Sequence, residues 1–98
     1  MWWKEAQGER TDIDLAAVFF SDDWKRLGDV SYYNLKEWGS AHSGDITSAP
    51  NGAAEFIDLH MPTVQEKGVR YVQMVIYSYT QQAFKDLQAL GIKTIVSV

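Results

Sequence analysis

The sequence has no cysteine, only two prolines among its 98 residues, and no clustering of its nine lysines and arginines. The absence of cysteine excludes a disulfide framework, a thiolate nucleophile and any zinc or iron site built on cysteine. It is also typical of the reducing cytoplasm, where we expect the protein to reside. The scattered basic residues and a formal net charge of −4 argue against a nucleic-acid partner, because phosphate binding needs a concentrated positive surface.

Long apolar stretches are also missing. No run approaches the roughly 18 residues that a membrane helix needs, and residues 1–4 lack the apolar segment of a signal peptide. We therefore expect no membrane span. The remaining composition is typical of a globular protein, with 46% apolar and 13% aromatic residues. The length predicts a single domain over residues 1–98.

Alternation of apolar and polar residues predicts mainly β structure. The clearest case is the strand that follows Asp12, where one face is apolar and is expected to form the core: Ile13, Leu15, Ala17 and Phe19. Val30–Leu35 and Glu55–His60 are also predicted strands, and Trp2 and Trp3 are read as the remnant of an edge strand. Val69–Tyr79 is apolar on both faces and is therefore expected to be a central strand.

The C-terminal part gives a different signal. Thr80 is a suitable N-cap for one short helix near residues 80–90, and Gly91 would end that helix. Residues 92–98 are strand-like in composition. By themselves, residues 69–98 therefore indicate a βαβ unit and an α/β domain.

Acidic residues concentrate in the first half of the chain. Asp12 and Asp14 share one face near one end of the first long strand, where two carboxylates repel each other unless a cation or solvent intervenes. This pattern suits a cation site, and an acidic surface that serves solubility would give the same pattern.

The segment His42–Glu55 is too rich in turn-forming residues to be a helix or a strand. Its polar side chains offer the hard oxygen ligands that Ca2+ prefers: Asp45, Thr47, Ser48, Asn51 and Glu55. The segment is therefore either a cation-binding loop or a solvated connection between strands.

Catalytic patterns are weak. His42, Ser43 and Asp45 include the residue types of a hydrolase triad, but triad members are normally brought together from distant segments and need an oxyanion hole. His42 and His60 without a third ligand are weak evidence for zinc. We expect no catalytic residues and no enzyme activity.

Four segments, in order and spacing, resemble the TerD-type domain of the tellurium-resistance family. They are Thr11–Ala17, Tyr32–Lys36, His42–Asp45 and Glu55–Leu59, and the resemblance covers roughly residues 10 to 80. It implies a bacterial, cytoplasmic, antiparallel β-sandwich that binds Ca2+ in loops at one edge and acts in a stress response, with other stress-response proteins as partners. The metal ligands carried over from the resemblance are Asp12, Asp14, Asp45 and Glu55, and the binding-loop residues are His42, Ser43 and Gly44.

The chain departs from the family pattern in the loop. Ile46 stands where the family usually has Asn, and Ala53 and Ala54 stand where it has two acidic residues. Fewer anionic ligands imply weak binding of one ion or none. The alternative function is therefore a metal-free protein–protein interaction module of the same fold. The chain is also shorter than the family at both ends, and the open strand edges of such a domain would favour homo-oligomers.

Overall fold

The computed structural model describes residues 1–5, 9–81, 83–87 and 89–92. Within these ranges the chain forms nine strands and one short α-helix. The strands are β1 (Trp2–Lys4), β2 (Ile13–Phe20), β3 (Arg26–Val30), β4 (Lys36–Glu37), β5 (Ser40–His42), β6 (Ala53–Ala54), β7 (Ile57–Asp58), β8 (Tyr71–Ser78) and β9 (Ala89–Gly91), and the helix is α1 (Met61–Glu66). They make three antiparallel sheets, in the orders β6-β1-β9, β3-β2-β8 and β4-β5-β7. The predicted mainly β, antiparallel class is confirmed.

Strand β2 is the centre of the longest sheet. Its predicted core face is confirmed, because the four apolar residues of that face are all buried: Ile13, Leu15, Ala17 and Phe19. The prediction that Val69–Tyr79 is central was wrong, since β8 pairs with β2 alone among the described strands. Composition misled here because an apolar strand that lacks a neighbour looks the same in sequence as one that is fully covered.

The C-terminal βαβ unit and the helix near residues 80–90 were also wrong. Residues Phe84–Asp86 form a single 3-10 turn, and β9 runs antiparallel to β1 in a different sheet from β8. The Thr80 hydroxyl accepts the backbone N–H of Asp12 at 3.0 Å and does not cap a helix. Tertiary pairing thus overrode a weak helical pattern. Most of the predicted strand over 92–98 lies outside the described residues.

The predicted strand Val30–Leu35 is instead the end of β3 followed by a tight turn. Ser31 and Asn34 exchange backbone hydrogen bonds of 2.9 and 3.2 Å across this turn. The Asp29 carboxylate holds the turn, because it accepts hydrogen bonds from Arg26 and Tyr33. These polar anchors explain why β-favouring aromatic residues form a turn here.

The remaining strands are short. Lys36 and Glu37 form β4, which turns at Gly39 (φ 75°) into β5. Only Ile57–Asp58 of the predicted strand Glu55–His60 is extended and paired, and α1 follows with Pro62 in its first turn. Trp2 and Trp3 do lie in a strand, but β1 is the middle strand of its sheet.

The core has two clusters joined by β2. Ile13 and Leu15 pack with Trp3 in the first, and Phe19 packs with Val64 of α1 in the second. Packing of the core face therefore sets the orientation of β2. The acidic residues at its start lie on the opposite face as a result. In the described part of the chain, no helix is both long and apolar enough to cross a membrane.

Candidate metal centre

Three carboxylates from two segments meet at the start of β2. Asp14 lies in the strand, Asp12 directly precedes it, and Asp45 comes from the loop between β5 and β6. One oxygen from each of the three lies within 4.8 Å of the others. Asp12 and Asp14 are each only 4% exposed, whereas Asp45 faces solvent. The group therefore consists of two buried acids and one exposed acid at the end of the sheet.

The charges in this cluster oppose one another. Burial, followed by the charges of Asp12, Asp45 and Glu55, raises the pKa of Asp14 to about 7. Burial and the charge of Asp45 also raise the pKa of Asp12, against a smaller lowering effect of Arg10. Both shifts mean that the fold penalises the ionised carboxylates when no cation compensates them.

Two buried oxygens in the cluster lack partners. Among the described residues, Oδ1 of Asp12 and Oδ1 of Asp14 have no hydrogen-bond partner. Leaving a buried polar atom unpaired is costly, and most such atoms in native proteins have a partner or bind an ion. The unpaired oxygens are an observation separate from the clustering, and a cation is one partner that would satisfy them.

Arg10 flanks the cluster without filling it. Its Nη2 lies 3.9 Å from Oδ2 of Asp12, and its Nε donates to the carbonyl oxygen of Thr47 at 3.0 Å. The guanidinium thus contacts both segments that supply carboxylates. Sequence reasoning missed this residue, although its position two residues before Asp12 places it at the same end of the strand.

Asp45 is positioned by the turn that precedes it. Gly44 has a φ of 119°, in the range that favours glycine, and its N–H donates to Nδ1 of His42 at 2.9 Å. Because Nδ1 is the acceptor, the proton of the neutral ring is on Nε2, which lies 3.0 Å from the carbonyl oxygen of Leu15. The predicted loop residues His42 and Gly44 therefore act as supports for Asp45.

Ser43 holds the other side of the loop. Its N–H donates to the carbonyl oxygen of Phe56 at 2.8 Å, and its Oγ accepts the N–H of Phe56 at 2.9 Å. This two-point contact closes the loop from residue 43 to residue 56. Its hydroxyl is thus used within the fold.

Glu55 lies beside the cluster but outside the group of three. It is completely buried, and its two carboxylate oxygens accept the N–H groups of Leu15 and Ile46, each at 3.1 Å. Burial raises its pKa, while these two hydrogen bonds and the nearby His42 oppose that rise. Glu55 is predicted as a ligand, and these contacts give it a second role, in tying the loop to β2.

Tyrosines border the site on the neighbouring strand. Tyr77 lies opposite Asp14 in the β2–β8 ladder, and the N–H of Tyr79 donates to the carbonyl oxygen of Asp12 at 2.9 Å. Tyr32 packs edge-on against Tyr79, with ring centroids 6.5 Å apart. These exposed rings give the site an aromatic rim.

No family model, curated protein or solved structure matches this chain.

Proposed function

We propose that this chain is a non-catalytic Ca2+-binding module of the TerD type, in which Asp12, Asp14 and Asp45 hold the ion. One observation carries the proposal: three carboxylates from two segments converge, and two of their buried oxygens lack a partner among the described residues. Carboxylate oxygens are the ligands that Ca2+ prefers, and its flexible coordination tolerates additional water ligands on the exposed side of Asp45.

The ion would act by neutralising charge. Without it, the three carboxylates repel one another and disfavour contact between β2 and the loop after β5. With it, the two segments are joined and the loop is fixed. Ca2+ binding would therefore stabilise the folded chain and order a surface that other proteins can recognise.

The wider setting follows from the family resemblance. It includes a bacterial cytoplasm, a stress response of the tellurium-resistance type, other stress-response proteins as partners, and a β-sandwich with the ion at one edge. The three antiparallel sheets are compatible with this architecture. The loop residues Ile46, Ala53 and Ala54 offer no carboxylates, which favours weak binding of a single ion.

A non-catalytic role is supported by the contacts of the residues that resemble a triad. His42 is buried, and both of its ring nitrogens are used by backbone groups of Gly44 and Leu15. A general base must be able to reach a substrate proton, and this imidazole is committed to the fold.

The direct test is calorimetric titration of Ca2+ into chelator-treated protein. We expect a single saturable site that is lost in Asp12→Asn and Asp45→Asn and retained in Asp58→Asn, a matched change at an exposed acid. Terbium luminescence excited through tyrosine would report on the same site, because Tyr77 and Tyr79 border it. A flat titration on folded wild-type protein would refute the proposal.

The second candidate is a metal-free interaction module of the same fold. It is favoured by the outer edge of β8, which is paired to no other described strand. Such an edge can accept a strand from another chain through backbone hydrogen bonds, a common mode of protein recognition. A flat Ca2+ titration combined with specific association of the chain would favour this candidate.

A further inference from the structure

Among the described strands, β8 is an unguarded edge. Its residues Tyr71–Ser78 pair with β2 on one side, and no described strand pairs with the other side. The strand contains no charged residue, proline or glycine, and no register shift interrupts its pairing. Natural edge strands usually carry at least one of these features, because they prevent pairing with another chain.

The opposite edge of the same sheet differs. Strand β3 carries the charged residues Arg26 and Asp29, and its pairing with β2 shifts register between Phe19 and Phe20. Charges and bulges of this kind discourage further pairing. The contrast between the two edges indicates that the unguarded state of β8 is a specific feature of that strand.

The core face of the sheet is also incomplete at β8. Val72 and Met74 lie opposite Phe19 and Ala17, both of which are buried, yet Val72 is 37% and Met74 is 51% exposed. Apolar side chains thus continue the core face beyond the part that the described residues cover. A further strand beside β8 would extend this face and bury them.

The pairing with β2 determines which backbone N–H and carbonyl groups of β8 point to its other side. The N–H and carbonyl groups of Leu15 are used by Glu55 and His42 on the side away from β8. The opposing residue, Ile76, is therefore a non-hydrogen-bonded partner, and its own N–H and carbonyl point to the free edge. By alternation, Val72, Met74 and Ser78 also present backbone groups there.

We propose that β8 pairs antiparallel with β8 of a second copy of this chain, joining two three-stranded sheets into one. The inference rests on the second candidate function, the interaction module, and names its partner. In the symmetric register Val75 lies opposite Val75 across the two-fold axis, and Met74 lies opposite Ile76 of the second copy. The four residues whose backbone groups point to this edge, Val72, Met74, Ile76 and Ser78, then all pair with the second copy, which gives about eight backbone hydrogen bonds.

Charge and symmetry favour a second copy as the occupant. The chain has a net charge of −4, so charged groups within a contact between two copies would add to their mutual repulsion. Tyr71–Ser78 is neutral, and in this register each apolar side chain of the core face meets an uncharged one. A closed two-fold interface also covers both β8 edges, and the joined sheet then ends on either side at β3, the strand with charges and a register shift.

Cysteine cross-linking tests the register, and the natural chain has no cysteine to interfere. Val75→Cys would place two thiols opposite each other with Cα atoms about 4.5 Å apart, within the range of a disulfide. The matched control Gln73→Cys would place them about 13 Å apart by strand geometry. We expect rapid oxidation to a covalent dimer for Val75→Cys only. Equal cross-linking of both variants, or of neither, would overturn the proposal.

Sedimentation velocity of the unmodified chain, from low micromolar to millimolar concentration, is expected to show a monomer–dimer equilibrium. Met74→Lys would bring like charges together at the interface and raise the dissociation constant at least about tenfold. Phe56→Lys adds the same charge at an exposed residue outside β8 and should leave the dissociation constant unchanged. A monomer at every concentration refutes the dimer, and the Ca2+ titration separately reports on the metal proposal. Irregular aggregates without the Val75-specific cross-link would also refute the proposed dimer.

Discussion

His42 and Glu55 lie 3.3 Å apart in the interior and together hold the backbone of Leu15. The imidazole Nε2 lies 3.0 Å from the carbonyl oxygen of Leu15, and the Glu55 carboxylate accepts the backbone N–H of Leu15 at 3.1 Å. Strand β3 pairs with β2 only from Ala17 onward, so these two side chains take the place of a neighbouring strand at Leu15. Through them, the loop that carries Asp45 is attached to the strand that carries Asp12 and Asp14.

Replacing Glu55 by Gln should destabilise the fold. The amide offers one acceptor oxygen, so one of the two buried N–H groups that it now binds would face an amide donor. We expect a loss of about 1 to 3 kcal/mol in the free energy of unfolding, measured by urea denaturation in chelator. Glu66→Gln, at an exposed helix residue, is the matched control and should change little. Equal stability of the two variants would contradict the role assigned to Glu55.

Asp14→Asn should have opposite effects with and without Ca2+. In chelator the substitution removes a buried, repelled carboxylate, so the thermal midpoint should rise above that of the wild type. In saturating Ca2+ the wild type should gain stability by mass action, about 2.7 kcal/mol at a hundredfold excess over Kd, and the variant should gain much less. Differential scanning calorimetry in both buffers checks this, with Asp58→Asn as the control. The same sign of effect in both buffers would contradict a cation site.

Stability in chelator should depend on pH in a characteristic direction. The pKa of Asp14 is about 7 in the folded chain and 3.8 ordinarily, so between these values the folded chain binds the proton more strongly than the unfolded chain does. The stabilising contribution of this group is therefore fully present below pH 3.8 and is lost as the pH rises through about 7. The raised pKa of Asp12 acts in the same direction.

The measurement is the thermal midpoint of the wild type relative to Asp14→Asn, from about pH 5 to about pH 8. We expect the wild type to lose stability relative to the variant as the pH rises. Because bound Ca2+ favours the ionised carboxylates, the loss should shrink or disappear in excess Ca2+. A constant difference across the range would show that Asp14 titrates normally.

Phe19→Ala should be severely destabilising, because Phe19 is completely buried in the second core cluster. Its ring also stacks on that of Trp38, with ring centroids 5.5 Å apart. The expected loss is about 3 to 5 kcal/mol for a buried phenylalanine. Phe56→Ala makes the same chemical change at a side chain that is 63% exposed, and it should shift stability by about 0.5 kcal/mol or less. Chemical denaturation of both variants tests the contribution of Phe19 to the core, and equal losses in the two variants would contradict it.

Part of the site could be predicted from the sequence because it depends on strand alternation alone. Burial of Ile13 and Leu15 sends Asp12 and Asp14 to the other face of β2, and a period of two residues leaves no other arrangement. The turn-forming residues around Gly44 likewise indicate a loop. The contact between Asp45 and the strand acids could not be predicted from spacing, since more than 30 residues separate them and the contact depends on His42 and Glu55.

The errors in the fold have a common physical origin. Val30–Leu35, Val69–Tyr79 and residues 80–90 were assigned from local composition, which reports what a segment prefers before it meets its neighbours. In the folded chain, hydrogen bonds to Asp29 stabilise a turn in the first of these segments. The second forms β8, which pairs with β2 alone among the described strands. The third pairs through its last residues with β1, which lies at the other end of the chain.

The sequence alone determined the mainly β class, the buried face of β2 and the pair of acids at its start, because these depend on hydrophobic burial acting on a period of two residues. Only the tertiary structure decided which carboxylates meet and which strand has an edge that no described strand covers. Both depend on contacts between segments far apart in the chain, and these contacts are stabilised by apolar burial and by buried hydrogen bonds that form only when the chain folds.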